Sequence, residues 1–435
     1  MSRDARRWGK ILLVAVVVGG SLWGVQRSWK ARRAMAEVRE EVEAGRHSTA
    51  AGKLIAFLAE RPDSDEAAYL LGNSEMARGR DRAAAEAWAR VPPGSPFATR
   101  AIERRMDLEV AGGRFAAAEQ LITRAMADPR IDGSALPLCL GPIYWIQGRS
   151  EDAEQGVERR WAFWNERGEG ATEKAIDLVR LHIDLWRAPL PVELVRDRLE
   201  TVGRMAPGDD RVWLGKANLA IRTGLYDEAE RWLDACLRQR PDDVPVWRAR
   251  LDWAVAAGRV TQAREALKHL PLDGSRPAKV ARLAAWLAAK RGDRAMEQRA
   301  LERLIAVDPT EFTALDRLTA LAVERGQAAL AASLRDQKAE IERVQARYKR
   351  LYQRNQPRRD AAEMARLAGL LGRRFEARAF KTSALALRPD RDDLPPDPST
   401  RDQRDKTIDE AGRTLAQALA ADSTAPSALE NRDDP

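Results

Sequence analysis

Two cysteines in 435 residues, Cys139 and Cys236, cannot build a disulfide framework, and no CxxC pair is present to hold zinc or an iron–sulfur cluster. The three histidines, His47, His182 and His269, stand far apart without Cys or carboxylate partners at ligand spacing, so the sequence specifies no metal centre. No phosphate-cradling glycine loop, HExxH or GxSxG occurs, which removes the nucleotide-binding, metalloprotease and hydrolase classes that carry those signatures. The net charge of +8 is modest for this length, and no nucleic-acid-binding motif accompanies it. These absences leave no catalytic constellation, no cofactor site and no small-molecule substrate to expect; the chain reads as a non-enzyme.

What is present is a period. From Asp210 to Asp243 the chain reads as two amphipathic helices: Trp213, Ala217 and Ile221 share one face, then Ala229, Trp232, Leu233 and Cys236 form a second stripe. Gly224 ends the first helix, Asp227 stands where the second needs an N-cap, and Pro241 stops it. Gly224, Gly258, Gly292 and Gly326 follow one another at 34 residues, and Gly45, Gly79 and Gly113 keep the same step upstream. Frames of 34 open at Ala31, Asp65, Thr99, Ser134, Ile176, Asp210, Val244, Ala278, Phe312 and Arg358, and all but the fifth, which has Leu190, carry glycine at place 15. Proline recurs at place 32 as Pro62, Pro96, Pro207, Pro241, Pro309 and Pro389. Unrelated helices would drift out of phase over this distance, so the period specifies a repeat array. In such an array Cys236 falls at a buried place and reads as a reduced core residue.

The pattern resembles the tetratricopeptide repeat (TPR) family. Trp213, Ala217, Gly224, Tyr226, Ala229 and Pro241 stand where that family has its signature types, as do Leu71-Gly72 and Leu140-Gly141 with Tyr144. The resemblance covers residues 31–391 and implies an all-α, right-handed superhelical solenoid of about ten helix-turn-helix repeats. It departs at Glu297, where the family has a small residue, and at Arg335 and Lys338 in the ninth repeat. The chain resembles in particular the arms of bacterial membrane-anchored TPR proteins and, more weakly, the arm ahead of ASPIC/UnbV-type propeller domains.

Ahead of the array, Ile11–Val25 is uncharged and spans only about 22 Å as a helix, but Trp8–Trp29 is long enough for one transmembrane segment with tryptophan near both interfaces. The same stretch also fits a cleavable signal peptide, with Ile11–Val18 as its apolar core, or a buried cap on the array. The basic residues that follow, Arg27, Lys30, Arg32 and Arg33, favour an uncleaved anchor on residues 1–30. A short N-terminus on a single span places the bulk of the chain on the non-cytoplasmic, periplasmic side.

The resemblance implies that the first helix of each repeat lines a concave groove with places 2, 5, 9, 12 and 13. Those places hold Arg180, Arg248 and Arg282, with Arg211 and Lys279, a lining suited to an acidic peptide. Asp184 and Asp252 lie four residues after Arg180 and Arg248, so ordinary intrahelical pairs are the plainer expectation. The family's carboxylate clamp is not supported, since Asn73 and Asn218 alone recur at place 9.

Two interruptions stand out. Residues 168–175 are a loop insertion, preceded by the aromatic cluster Trp161, Phe163 and Trp164. In the ninth repeat the helical pattern overruns as an extended basic helix over 327–356, stepping from Gly326 to Gly372 in 46 residues. Arg343, Arg347, Arg350 and Arg354 make one stripe on it, and Ile341, Val344, Tyr348, Leu351 and Tyr352 another. Such a helix can project from the stack and meet an anionic surface or nucleic acid through 341–359, or can simply present a solvated face. Residues 392–435 read as an acidic, mostly disordered tail with the charge to shield it. The reading that follows is a membrane-anchored scaffold that binds protein or peptide partners, with nucleic acid the weaker alternative.

Overall fold

The computed structural model describes residues 29–187, 189–271 and 276–386, and among these every regular element is a helix. In chain order they are α1 (29–43), α2 (His47–Glu60), α3 (Asp65–Ala77), α4 (Asp81–Ala89), α5 (Ala98–Ala111), α6 (Phe115–Ala127), α7 (Leu136–Cys139), α8 (Gly141–Ile146), α9 (Ser150–Glu166) and α10 (Glu173–Arg187). There follow α11 (Val192–Met205), α12 (Asp210–Thr223), α13 (Tyr226–Gln239), α14 (Val244–Ala256), α15 (Val260–Lys268), α16 (Pro277–Arg291) and α17 (Arg294–Val307). The last are α18 (Phe312–Glu324), α19 (Ala328–Arg354), α20 (Pro357–Leu370) and α21 (Arg374–Ala386).

The punctuation expected from the period is physically present. All nine place-15 glycines adopt positive φ. At Gly224, φ is 77° and the amide bonds back to Ile221, so the helix is closed in a left-handed turn that a side chain would strain. At the opposite ends Ser64, Asp209, Asp243 and Asp293 cap α3, α12, α14 and α17 by accepting from free amides of the first turn. Asp227 is not a cap: α13 already begins at Tyr226, and Asp227 lies in its first turn, where a carboxylate favours the helix dipole.

The chain divides into two compact units, Met1–Cys139 and Leu140–Pro435. The division falls within the fourth repeat, whose first helix is broken into α7 and α8. Pro142 at the start of α8 accepts no continuation of the preceding turn, because it brings no amide hydrogen.

In the first unit Leu54, Leu58, Ala67, Ala68, Leu71 and Ala87 form the centre of one core cluster, and Trp88 with Ala84, Ala101 and Leu108 forms another. Gly72 explains the Leu-Gly element: a Cβ there would stand 2.2 Å from Nε1 and 2.3 Å from Cδ1 of Trp88. Trp88 is 1% exposed and donates to the Tyr69 carbonyl at 3.2 Å, so it has nowhere to retreat. Alanine gains about 1 kcal/mol in helix propensity, yet overpacking costs about 1–3 kcal/mol. Gly72→Ala is therefore expected to lower the stability of this unit by about 1 kcal/mol in urea unfolding, against the propensity trend.

In the second unit the sixth and seventh repeats pack Leu214, Ala217, Ala229, Leu233, Cys236, Val246 and Trp253 into one core, with Trp213, Trp232 and Trp247 at its margin. Trp213 Nε1 donates to the Pro207 carbonyl at 2.9 Å and Trp247 Nε1 to the Pro241 carbonyl at 2.6 Å, so each tryptophan ties its repeat to the turn before it. Cys236 is free and buried, and burial pushes its thiol up to about 12, as suits an inert core residue. Glu297, at the place where a small residue was expected, is 3% exposed and is held by Arg317 at 2.6 and 3.1 Å. Ala229→Leu should cost about 1–3 kcal/mol because Ala229 is fully buried where two helices meet, whereas Glu86→Leu on an exposed face should change stability by at most about 0.5 kcal/mol. Equal losses at the two positions would show the register to be wrong.

Among the described residues no helix is long and apolar enough to cross a membrane. The Trp8–Trp29 segment lies outside them except for Trp29, which opens α1 and is 61% exposed. The acidic tail 392–435 likewise lies outside the described residues.

Candidate functional site

The groove cations are not free. In the second unit the first turns of α9 bring three carboxylates against the first helices of the seventh and eighth repeats. Arg248 Nη1 stands 3.0 Å from Asp152, Lys279 Nζ 3.5 Å from Glu151 and 3.2 Å from Asp252, and Arg276 Nη1 2.5 Å from Glu154. Glu154 is 3% exposed; burial raises its pKa, and Arg276 and His182 act in the other direction. Lys279 is held charged by Asp252 and Glu151 against the opposing effect of burial. Arg282, more than half exposed, pairs with Glu311 at 2.5 Å.

The intrahelical pairs expected from the four-residue spacing are therefore absent. Arg248 reaches Asp152 across 96 residues instead of Asp252. Arg180 lies over the Tyr352 ring at 5.5 Å, and its supposed partner Asp184 accepts from the Tyr352 hydroxyl at 2.5 Å. Arg211 is a second departure: it is 5% exposed and donates to both carboxylate oxygens of Asp243, at 3.0 and 2.6 Å, so it is a structural residue and presents nothing to a partner.

Lys279 and Arg282, with Arg222 and Arg276, line a cavity of about 370 Å³. Trp145, Ile146, Leu185, Leu190, Val195 and Leu219 make its apolar side. Neither Arg222 nor Arg276 was among the candidates, although Arg222 occupies place 13 of its frame, one of the groove places. Arg276 precedes its frame and carried no positional signal.

The basic helix does not project. Val344, Tyr348 and Leu351 on α19 are buried, and only one side of it faces solvent. Arg343 pairs with Glu340 at 2.8 Å, Arg347 with Glu363 at 2.8 and 3.0 Å, and Arg354 with Asp360 at 2.8 Å, while Arg350 is exposed. Glu340 on α19 and Asp360 and Glu363 on α20 thus neutralise three of the four arginines of the stripe.

The C-terminal helices are fastened by a buried cluster that the sequence reading missed. His182 on α10, 5% exposed, stands 3.5 Å from Glu158 on α9 and 3.6 Å from Glu376 on α21. Those are ion-pair distances, longer than good hydrogen bonds. Burial pulls the histidine down, but the two carboxylates outweigh it and lift the pKa to about 8. Tyr348 donates to Glu376 at 2.5 Å, and Phe375 packs edge-on against Trp161 and 4.5 Å from the His182 ring. Of the aromatic cluster before the insertion, Trp161 is core, while Phe163 and Trp164 are half-buried under the guanidiniums of Arg160 and Arg167.

Two stretches of the chain, residues 35–98 and 196–251, match models of the tetratricopeptide repeat. No curated protein matches the chain. Among solved structures it is similar to a tetratricopeptide repeat protein from Parabacteroides merdae, at 13% identity over 67% of this chain and 98% of that one, with a TM-score of 0.27. It is similar also to a chain of the APC/C hetero-tetramer Cut9–Hcn1, at 12% identity over 91% and 94% with a TM-score of 0.32, and to yeast Tom70, at 10% over 90% and 97% with a TM-score of 0.25. At these values the likenesses say nothing about the curvature or the partners of this chain.

Proposed function

We propose, for a chain that carries tetratricopeptide repeats, that it is a non-catalytic scaffold and that the second unit binds acidic segments of partner proteins. One observation carries the proposal: Arg248, Arg276 and Lys279, on or beside successive repeats, already hold the acidic turn Glu151, Asp152 and Glu154 of a distant helix. The chemistry of recognition is thus displayed within the molecule, and the exposed edge at Arg282 is where a partner's carboxylate can add to it. The second reading, an anionic surface or nucleic acid on 341–359, has less support because Arg343, Arg347 and Arg354 are already paired.

The proposal includes an anchor on Trp8–Trp29 with the repeats on the periplasmic side of a bacterial membrane, supported by the sequence alone. Resistance of the protein to alkaline extraction from membranes tests it, and a mature N-terminus near Leu22 would withdraw it. Partner binding is tested by a photo-crosslinking side chain placed at 282 or, as a control, at 86. Specific adducts at 282 and not at 86 support the scaffold; adducts at both or neither remove this surface from consideration.

A further inference from the structure

We propose that the cleft lined by α8–α12 and α16 binds a ligand with an apolar body and a single carboxylate, the carboxylate paired with Arg222. The inference goes beyond the scaffold reading and does not require it.

The charges around the cavity decide the ligand class. Glu154 is ion-paired with Arg276 at 2.5 Å, Glu151 with Lys279 at 3.5 Å, and Arg282 with Glu311 at 2.5 Å. Asp308 accepts from the Thr310 amide at 3.0 Å and from its hydroxyl at 2.6 Å. Arg222 differs: it is exposed, its Nη1 donates to the Leu190 carbonyl at 2.7 Å, and among the described residues it has no carboxylate partner. A guanidinium offers five N–H donors, so most of its capacity is open. It stands beside an apolar wall that includes Leu185, Leu190, Val195 and Leu219.

A cation would be repelled there, and a phosphate dianion would lose hydration against the wall while the second exposed guanidinium, Arg282, already carries the Glu311 carboxylate. A neutral apolar molecule would leave Arg222 unanswered. A carboxylate on an apolar body satisfies both, and about 370 Å³ lies within the size range of small-ligand clefts, roughly 300–1,000 Å³. Such a ligand is either a free small acid or the apolar last residue of a polypeptide.

The test uses the full chain in detergent and titration calorimetry. The probes are 3-phenylpropionate, its amide, and a short peptide ending in leucine with a free or an amidated terminus. At least one carboxylate probe is expected to bind, the small acid with a Kd on the order of 1 mM or below. Its amide should bind about tenfold more weakly or worse, as should the carboxylate to Arg222→Gln. Leu219→Trp should fill the cavity and block it; Arg222 is exposed, so its variant remains informative if the tryptophan variant does not fold. Binding of the peptide alone identifies a polypeptide as the source, and binding of both or of the small acid alone identifies a cavity open to free acids. Equal binding of acid and amide, indifference to Arg222→Gln, or no binding by any probe overturns the proposal. Crosslinking at 282 that persists in Arg222→Gln would show that the scaffold reading stands without it.

Discussion

Replacing Arg211 by alanine is expected to destabilise the second unit by about 3–5 kcal/mol, the cost of stranding one member of a buried ion pair. Arg211 and Asp243 have side-chain exposures of 6% and 8% and are joined in a two-pronged geometry. The carboxylate left behind would keep only a 3.8 Å approach from Arg240 and its bond to the Val246 amide. Asp243→Ala should be nearly as costly, since it removes a cap as well. The double variant should lose clearly less than the sum, because the second change removes the stranded charge. Urea unfolding of the three variants checks this. A wild-type midpoint for Arg211→Ala, with a loss of partner capture instead, would return Arg211 to the binding surface.

Glu376→Ala is expected to cost about 3 kcal/mol near pH 6 and to flatten the pH dependence of the C-terminal helices. His182 titrates at about 8 in the folded chain and at its ordinary 6.5 when unfolded. A raised histidine pKa contributes stability that is complete below 6.5 and is lost as pH rises through about 8. The window is worth about 2 kcal/mol at 1.36 kcal/mol per unit, and the histidine is buried deeply enough for little solvent screening. Of the other groups facing the cluster, burial raises the Glu154 pKa, and Tyr348 is pushed upward, away from this window. Amide exchange of Arg374–Ala386 should therefore quicken from about pH 6.5 to about pH 9 beyond the intrinsic chemical rate. The excess should vanish in His182→Gln. Exchange that follows the intrinsic rate alone in the wild type would dismiss the cluster as a fastening.

The helices were legible because their signals are local. Gly224 needs a left-handed turn whatever packs around it, and Ala229 and Leu233 are four apart on any helix. The Leu71-Gly72 element was legible as a pattern, although Trp88, which gives it meaning, lies on the next helix. What could not be read is everything joined across distant repeats. Arg248 sits one helical turn from Asp252, and helix geometry alone prefers that pair. Asp152, 96 residues away, takes it instead because the fold brings α9 alongside. His182 looked isolated for the same reason: Glu158 and Glu376 reach it from two other helices. The stripe of arginines on α19 was visible, but its apolar stripe, with Val344, Tyr348 and Leu351 buried, decided where the helix lies.

Asp243 closes one 34-residue count, yet its side chain serves two of them: it grips Arg211 behind it and caps the Val246 amide ahead of it. Asp209 opens the same stretch in the capping role. A recombination event that copied or excised Asp210–Asp243 as a block would leave an aspartate at each seam, and every cap would find its helix. Excision of a block that begins a few residues later, beyond Arg211, would remove Asp243 and leave Arg211 without its partner. The heritable module and the folding unit thus share an edge at that aspartate, which marks where an array of this kind can lengthen or shorten without relearning how to fold.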